Sequence, residues 1–222
     1  VNNQILFTVK GLKFYSEDPQ VFSYFRGYDY KKLDSVKEEL IQPFLNHVHD
    51  VINDGNDEVY KYILIWIASI LQKQNFKTGT ALIILGKQGT GKNTFFTDIV
   101  CKLMAIYANE NITSIDSVIG KFNAVLENKK LLILNELQSI NSNKYLNNDA
   151  LKSVITDKSI NRNQKNERLC ENVASFIMVS NNDIHIKIES SDGRYVVSKT
   201  SDKHKSHFDY FEKLSNSFTQ EF

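Results

Sequence analysis

An α/β fold, with a parallel central sheet preceded by a smaller helical module, is what the 222-residue sequence predicts. Three observations lead there. Short continuous apolar runs recur at Ala81–Leu85, 130–136 and 173–180, the pattern of strands buried on both faces. Gly86, Gly89 and Gly91 directly follow the first run and open a helical pattern. Between residues 33 and 74, apolar residues instead repeat at helical spacing.

The elements follow in order. Residues 1–32 mix aromatics with Gly and Pro and read as short strands and loops. Val36, Leu40, Phe44 and Val48 recur every four residues, a helical spacing. Pro43 is expected to break this stretch into two helices, since proline fits a first turn better than an interior. Residues 53–56 (Asn-Asp-Gly-Asn) make a turn, and Asp57 is expected to cap the next helix. That helix, 59–74, is apolar nearly all round and is expected to be buried on most faces. The spacing predicts further helices over 93–104 and 147–155, the latter with Leu151, Val154 and Ile155 on one face. A polar stretch, 157–168, places Arg162, Lys165 and Arg168 at three-residue steps between Ile160 and Leu169 and reads as a hairpin. Charge alone leaves open whether it grips phosphates or is a solvated loop. Residues 195–197 form another apolar stretch, and 204–222 predict an amphipathic helix with Phe208, Phe211, Leu214 and Phe218 inward. The division expected is a mixed, helical module at 1–77 and a second domain at 78–222.

Composition bounds the function. A net charge of +1 gives no global basic field, so any nucleic-acid surface must be local. Cys101 and Cys170 offer neither zinc spacing nor a disulfide framework, which suggests an intracellular setting. The longest apolar run, 62–71, is too short to span a bilayer, so no membrane partner is expected. The first residue is Val1 rather than Met, as expected for an excerpt of a longer chain.

The chemistry concentrates after the first strand. Gly86-Lys-Gln-Gly-Thr-Gly-Lys-Asn93 has the strand–glycine loop–lysine–helix order of a Walker A motif. Glycines let the backbone approach a polyphosphate closely, the helix N-terminus offers free amides, and Lys92 supplies charge. Gly86, Gln88, Gly89, Thr90, Gly91, Lys92, Asn93 and Thr94 are therefore the candidate nucleotide-binding residues. Asn93 stands where the motif asks for Ser or Thr. The strand at 130–136 ends in Asn135-Glu136 and reads as a Walker B strand, with Asn135 in place of the usual Asp. Glu136 is the candidate general base. The strand at 173–180 ends in Asn181, placed to sense a γ-phosphate.

The ordered set of Gly-Lys-Gln-Gly-Thr-Gly-Lys-Asn93, Leu-Ile-Leu-Asn-Glu136, a basic insert, Val-Ser-Asn-Asn182 and Asp-Gly-Arg194 resembles superfamily 3 helicases, most closely the poxvirus-type primase-helicases of viruses, phages and mobile elements. The resemblance covers roughly residues 22–200. It implies a P-loop NTPase, AAA+-like, acting on ATP with Mg²⁺ on single-stranded DNA as a homo-oligomeric, hexameric ring. Lys92 would meet the β- and γ-phosphates, Asn93, Asn135 and Glu136 would form the metal side, and Asn181 would be the γ-phosphate sensor. Arg194 would be an arginine finger inserted into the neighbouring subunit. Arg162, Lys165 and Arg168 would lie on the DNA-gripping hairpin, with Lys165 near its tip. A primase or polymerase domain is expected elsewhere in the full-length chain, and the setting is a host-cell cytoplasm or nucleus. Two other readings keep the same loop: an AAA+-like initiator or loader without processive unwinding, and a degenerate, non-hydrolysing scaffold for oligomerisation.

Overall fold

The computed structural model describes residues 11–30, 34–35, 37–120, 123–135, 144–163, 167–181 and 191–217, and gives the backbone course alone at 144–148, 161–163 and 167–169. Two short strands, β1 (Gly11–Lys13) and β2 (Val21–Ser23), pair ahead of helix α1 (Glu38–His47). Pro43 lies inside α1 and does not split it. The ring removes one hydrogen bond, to the Glu39 carbonyl one turn back, at an exposed position of the helix. A π-helical turn (Val48–Ile52) continues α1 before helix α2 (Asp57–Gln72). The cap of α2 is Asn56 rather than Asp57. Its side-chain oxygen accepts from the Glu58 and Val59 amides, while the Asp57 carboxylate pairs with His49. Helix α2 buries Ile63, Trp66, Ile67 and Ile70 but leaves Ile65 69% exposed. Burial on most faces is therefore corrected to one stripe, the one that meets the sheet.

Strand β3 (Ala81–Leu85) leads into α3 (Lys92–Phe95), a π-helical stretch (Phe96–Cys101) and α4 (Lys102–Met104), one helical rod of mixed register. Next come β4 (Ala108–Ile112), α5 (Asp116–Ile119) and β5 (Leu131–Asn135). Helix α6 (Lys144–Thr156) precedes an antiparallel hairpin of β6 (Ser159–Asn163) and β7 (Glu167–Glu171). Strands β8 (Ser175–Ser180) and β9 (Tyr195–Lys199) and helix α7 (Phe208–Ser217) close the described chain. Helix α7 starts at Phe208, which is 83% exposed, while Leu214 is buried. Phe208 thus stands outside the core where the amphipathic pattern placed it inside, and Phe218 lies outside the described residues.

Five strands make one wholly parallel sheet in the order β4-β5-β8-β3-β9. Because side chains alternate across a strand, its two faces bury different residues. Leu82, Ile84, Leu131, Ile133, Ile177 and Val179 share one core with α1, α2 and the mixed helix. Ala81, Ile83, Leu132, Leu134, Phe176 and Met178 share the other with α5 and α6. The result is a three-layer α/β architecture. Fully buried Lys130 pins α2 to this sheet. Its ammonium donates to the carbonyls of Lys73 at 2.9 Å, Gln74 at 2.8 Å and Phe76, capping the helix end. Burial brings its pKa down to about 8.

Candidate nucleotide-binding site

The strand order decides where the site lies. Strand β8 sits between β3 and β5, with Ser180 beside Leu85 and Val179 beside Asn135. Stretches nearly a hundred residues apart in sequence therefore end side by side, at the carboxyl edge where open α/β sheets bind ligands. The glycine loop leaves β3 at this edge.

Within the loop, Lys92 is 5% exposed and donates to the Gly86 carbonyl at 2.5 Å and the Lys87 carbonyl at 2.8 Å. Desolvation lowers its pKa to about 8, against the pull of Asp202. The Thr90 hydroxyl donates to the Lys87 carbonyl and meets the Thr200 hydroxyl at 3.1 Å. Gly91 has φ +86°, and a Cβ there would lie 2.5 Å from the Phe211 ring and 2.8 Å from that of His47. Gly86 does not take a positive φ. Its need is space, since a Cβ would fall 1.8 Å from the Thr200 hydroxyl oxygen.

Two contiguous cavities meet at Asn93 and Asn181. The smaller, about 240 Å³, is lined by Asn93, Asn111, Thr113, Asn135 and Asn181 with Val179. The Asn135 side-chain N–H donates to the Asn111 oxygen at 2.9 Å, and its own buried Oδ1 has no partner among the described residues. Asn111 takes φ +61° at an irregularity in β4 that turns its side chain to this pairing. Amide and hydroxyl oxygens are hard donors of the kind Mg²⁺ takes alongside water and phosphate. The orphaned Asn135 oxygen makes Asn93 and Asn135 a fit in donor type. Glu136 lies outside the described residues.

The larger cavity, about 700 Å³, is bounded on one side by residues 88–94 with Asn181. All the expected nucleotide-binding residues except Gly86 line it, and Gly86 borders an adjoining cleft. The rest of its lining is Lys205, Ser206, Phe208 and Phe211, which no motif marked. Beneath them, fully buried His47 meets the Tyr210 hydroxyl through Nδ1 at 2.9 Å and the Gly91 carbonyl through Nε2 at a long 3.4 Å. A carbonyl only accepts, so Nε2 carries the proton and Nδ1 accepts from Tyr210. Burial pushes the His47 pKa down to about 4. The one available signal for His47 and Phe211 was their place on apolar helical faces, which reads equally as core.

The remaining candidates lie elsewhere. Arg194 precedes β9, whose first residue pairs with Ala81 at the far end of β3. Five residues of strand, at ~3.3 Å each, put it about 16 Å from the glycine loop of its own chain. Its guanidinium holds Asp192 in a two-point pair at 2.7 and 3.1 Å, and Lys152 stands 3.8 Å from the same carboxylate. That pairing keeps the Asp192 carboxyl below the usual carboxylate range. In the β6–β7 hairpin, Arg162 and Arg168 are register partners, while Lys165 lies outside the described residues.

The sequence profile of a family of unknown function (DUF5906) matches residues 84–194. Over 137 residues the chain is 39% identical to the DNA primase-polymerase of Nitratiruptor phage NrS-1, a match covering 60% of this chain and 18% of that protein. The apo structure of the NrS-1 C-terminal region (305–718) superposes with a TM-score of 0.73 and 31% identity, over 89% of this chain and 48% of that one. The JCV helicase, solved with a small organic molecule bound, superposes with a TM-score of 0.50 over 83% of this chain and 50% of its own. At 12% identity that likeness speaks for the fold alone. The chain spans about half of these solved regions and 18% of the curated relative. The fold is that of an α/β P-loop NTPase with a parallel central sheet, as the ordered motifs predict.

Proposed function

The chain belongs to the DUF5906 family, and from its loop and sheet edge we propose that it is the ATP-driven translocase domain of a replication primase-helicase, acting as a ring on single-stranded DNA. The observation that carries this is the convergence of Lys92, Asn135 and Asn181 at one carboxyl edge, around two contiguous cavities. A loop that only bound phosphate needs none of the polar pocket beyond it. In this reading residues 78–222 are the ATPase proper and residues 1–77 its helical support.

The loop amides of residues 86–94 wrap the polyphosphate, and the Lys92 ammonium exchanges two loop carbonyls for phosphate oxygens. Asn93 and Asn135 would hold Mg²⁺, which would supply neutralisation of the polyphosphate charge. Asn181 donates to the γ-phosphate, and Glu136, next to Asn135, orients the attacking water. Arg194 is too far to serve its own chain's loop, which supports its action in a neighbouring subunit. Such a finger contributes on the order of 10³–10⁵ in rate. Arg162 and Arg168 are register partners on the hairpin, and in this reading they and Lys165 meet the DNA backbone phosphates.

The test is subunit mixing. Arg194→Ala and Glu136→Gln chains, each inactive alone, regain part of the turnover when mixed, because the Glu136-bearing site of one receives the arginine of the other. Rings that form from the mixture yet release no phosphate contradict the reading. One observation favours a second reading: both metal-side positions, Asn93 and Asn135, are neutral amides. A non-hydrolysing nucleotide-dependent scaffold fits that, and phosphate release by the wild-type ring excludes it.

A further inference from the structure

Residues 200–211 lie beside the glycine loop and are fastened to it along their length. The Thr200 amide donates to the Leu85 carbonyl at 2.7 Å, Lys87 pairs with Asp202 at 2.5 Å, and the Ser206 amide donates to the Gly89 carbonyl at 3.2 Å. Helix α7 then begins at Phe208, and Phe211 packs against His47 with ring centroids 6.1 Å apart. The backbone carrying Phe208 is thus anchored on both sides, yet its ring is 83% exposed, more than any other large apolar side chain among the described residues. A fixed, bare aromatic ring at the mouth of a polar cavity has no packing role within the chain.

Across the two adjoining cavities the chemistry changes from one to the other. Toward Asn93, Asn135 and Asn181 the surface is amide and hydroxyl, suited to phosphate oxygens, water and a hard cation. Toward Phe208 it offers an aromatic face with the Lys205 side chain beside it. The cavity, at about 700 Å³, falls within the range of small-molecule sites and exceeds what a phosphate chain alone occupies. A nucleoside triphosphate has the same polarity: charge at one end, an aromatic ring at the other. We infer that Phe208 stacks on the nucleobase of the triphosphate held by the loop, with the Lys205 ammonium at the ribose and α-phosphate. The inference rests on the reading that the loop binds a nucleoside triphosphate. Stacking serves every base, since each has a π-face, so Phe208 contributes affinity more than choice among bases.

Calorimetric binding of ATP and of inorganic tripolyphosphate, which has the charge but no base, separates the two ends. Phe208→Ala weakens ATP by roughly 5- to 150-fold, the range of one lost base–aromatic stack, and leaves tripolyphosphate unchanged. Phe208→Trp retains ATP affinity. Lys92→Ala weakens both. Phe208 is exposed, so its substitution leaves the fold intact, which a melting curve checks. A Phe208→Ala protein that binds ATP as wild type does, or loses ATP and tripolyphosphate equally, overturns the stack while the loop reading survives. A Lys92→Ala protein that binds both ligands normally overturns the loop reading, and the stack with it.

Discussion

Exchanging Gly91 for alanine probes how tightly helix α7 closes on the phosphate loop. Two costs add at this position. With φ at +86° the backbone is left-handed, which a Cβ penalises by roughly 1–2 kcal/mol. The methyl group would also lie 2.5 Å from the Phe211 ring and 2.8 Å from the His47 ring, both inside van der Waals contact. Neither ring is a flexible chain end, and His47 is fully buried, so the helix must shift. Overpacking of this kind costs roughly 1–3 kcal/mol. The sum is about 2–5 kcal/mol, and at roughly 2–4 °C per kcal/mol for a chain of this size the Tm falls by at least about 4 °C. Differential scanning calorimetry without nucleotide reads this directly. Adding Phe211→Ala in the Gly91→Ala background returns the packing part but not the backbone part, a coupling of ~0.5 kcal/mol or more. A Gly91→Ala protein that melts within a degree of wild type, or a pair of substitutions that add simply, refutes the contact between α7 and the loop.

Three further outcomes follow from the same geometry. The His47 pKa of about 4 lies below its ordinary value of 6.5, so as pH falls below 6.5 the unfolded chain takes up a proton that the folded chain refuses. Stability is then lost on acidification, by about 2 kcal/mol at pH 5, and denaturant titrations of His47→Gln show a flatter profile over pH 7 to 5. Lys130→Met leaves the carbonyls of Lys73, Gln74 and Phe76 without their donor, a loss of roughly 3 kcal/mol or more in urea unfolding, with amide exchange rising first at the end of α2. Asn135→Asp places a carboxylate at the orphaned oxygen and lowers the Mg²⁺ concentration for half-maximal nucleotide binding, followed by fluorescence titration.

The parts of the fold that could be read from sequence are those where one force dominates. Continuous apolar runs located β3, β5 and β8, because strands covered on both faces leave no room for polar residues. The charged hairpin was legible from its flanking apolar residues, and the ordered motifs identified the fold. Strand β4 was not legible. Its middle residues, Asn109, Glu110 and Asn111, are polar because it is an edge strand that turns amides to the site. Helix ends were misjudged where a neighbour intervened, as at Asn56, whose amide caps as well as the carboxylate beside it. At the site, the loop residues announced themselves through glycine spacing. The lining at 205–211 did not, since an exposed Phe208 and a packed Phe211 give the same helical periodicity. Only the fold distinguishes them.

The most direct test of the central claim is phosphate release from ATP by the assembled protein, measured with particle mass and with and without single-stranded DNA. The account predicts ring-sized particles whose hydrolysis rises with DNA and is abolished by Lys92→Ala. Rings that bind ATP but release no phosphate with or without DNA, or hydrolysis that survives Lys92→Ala, would contradict it.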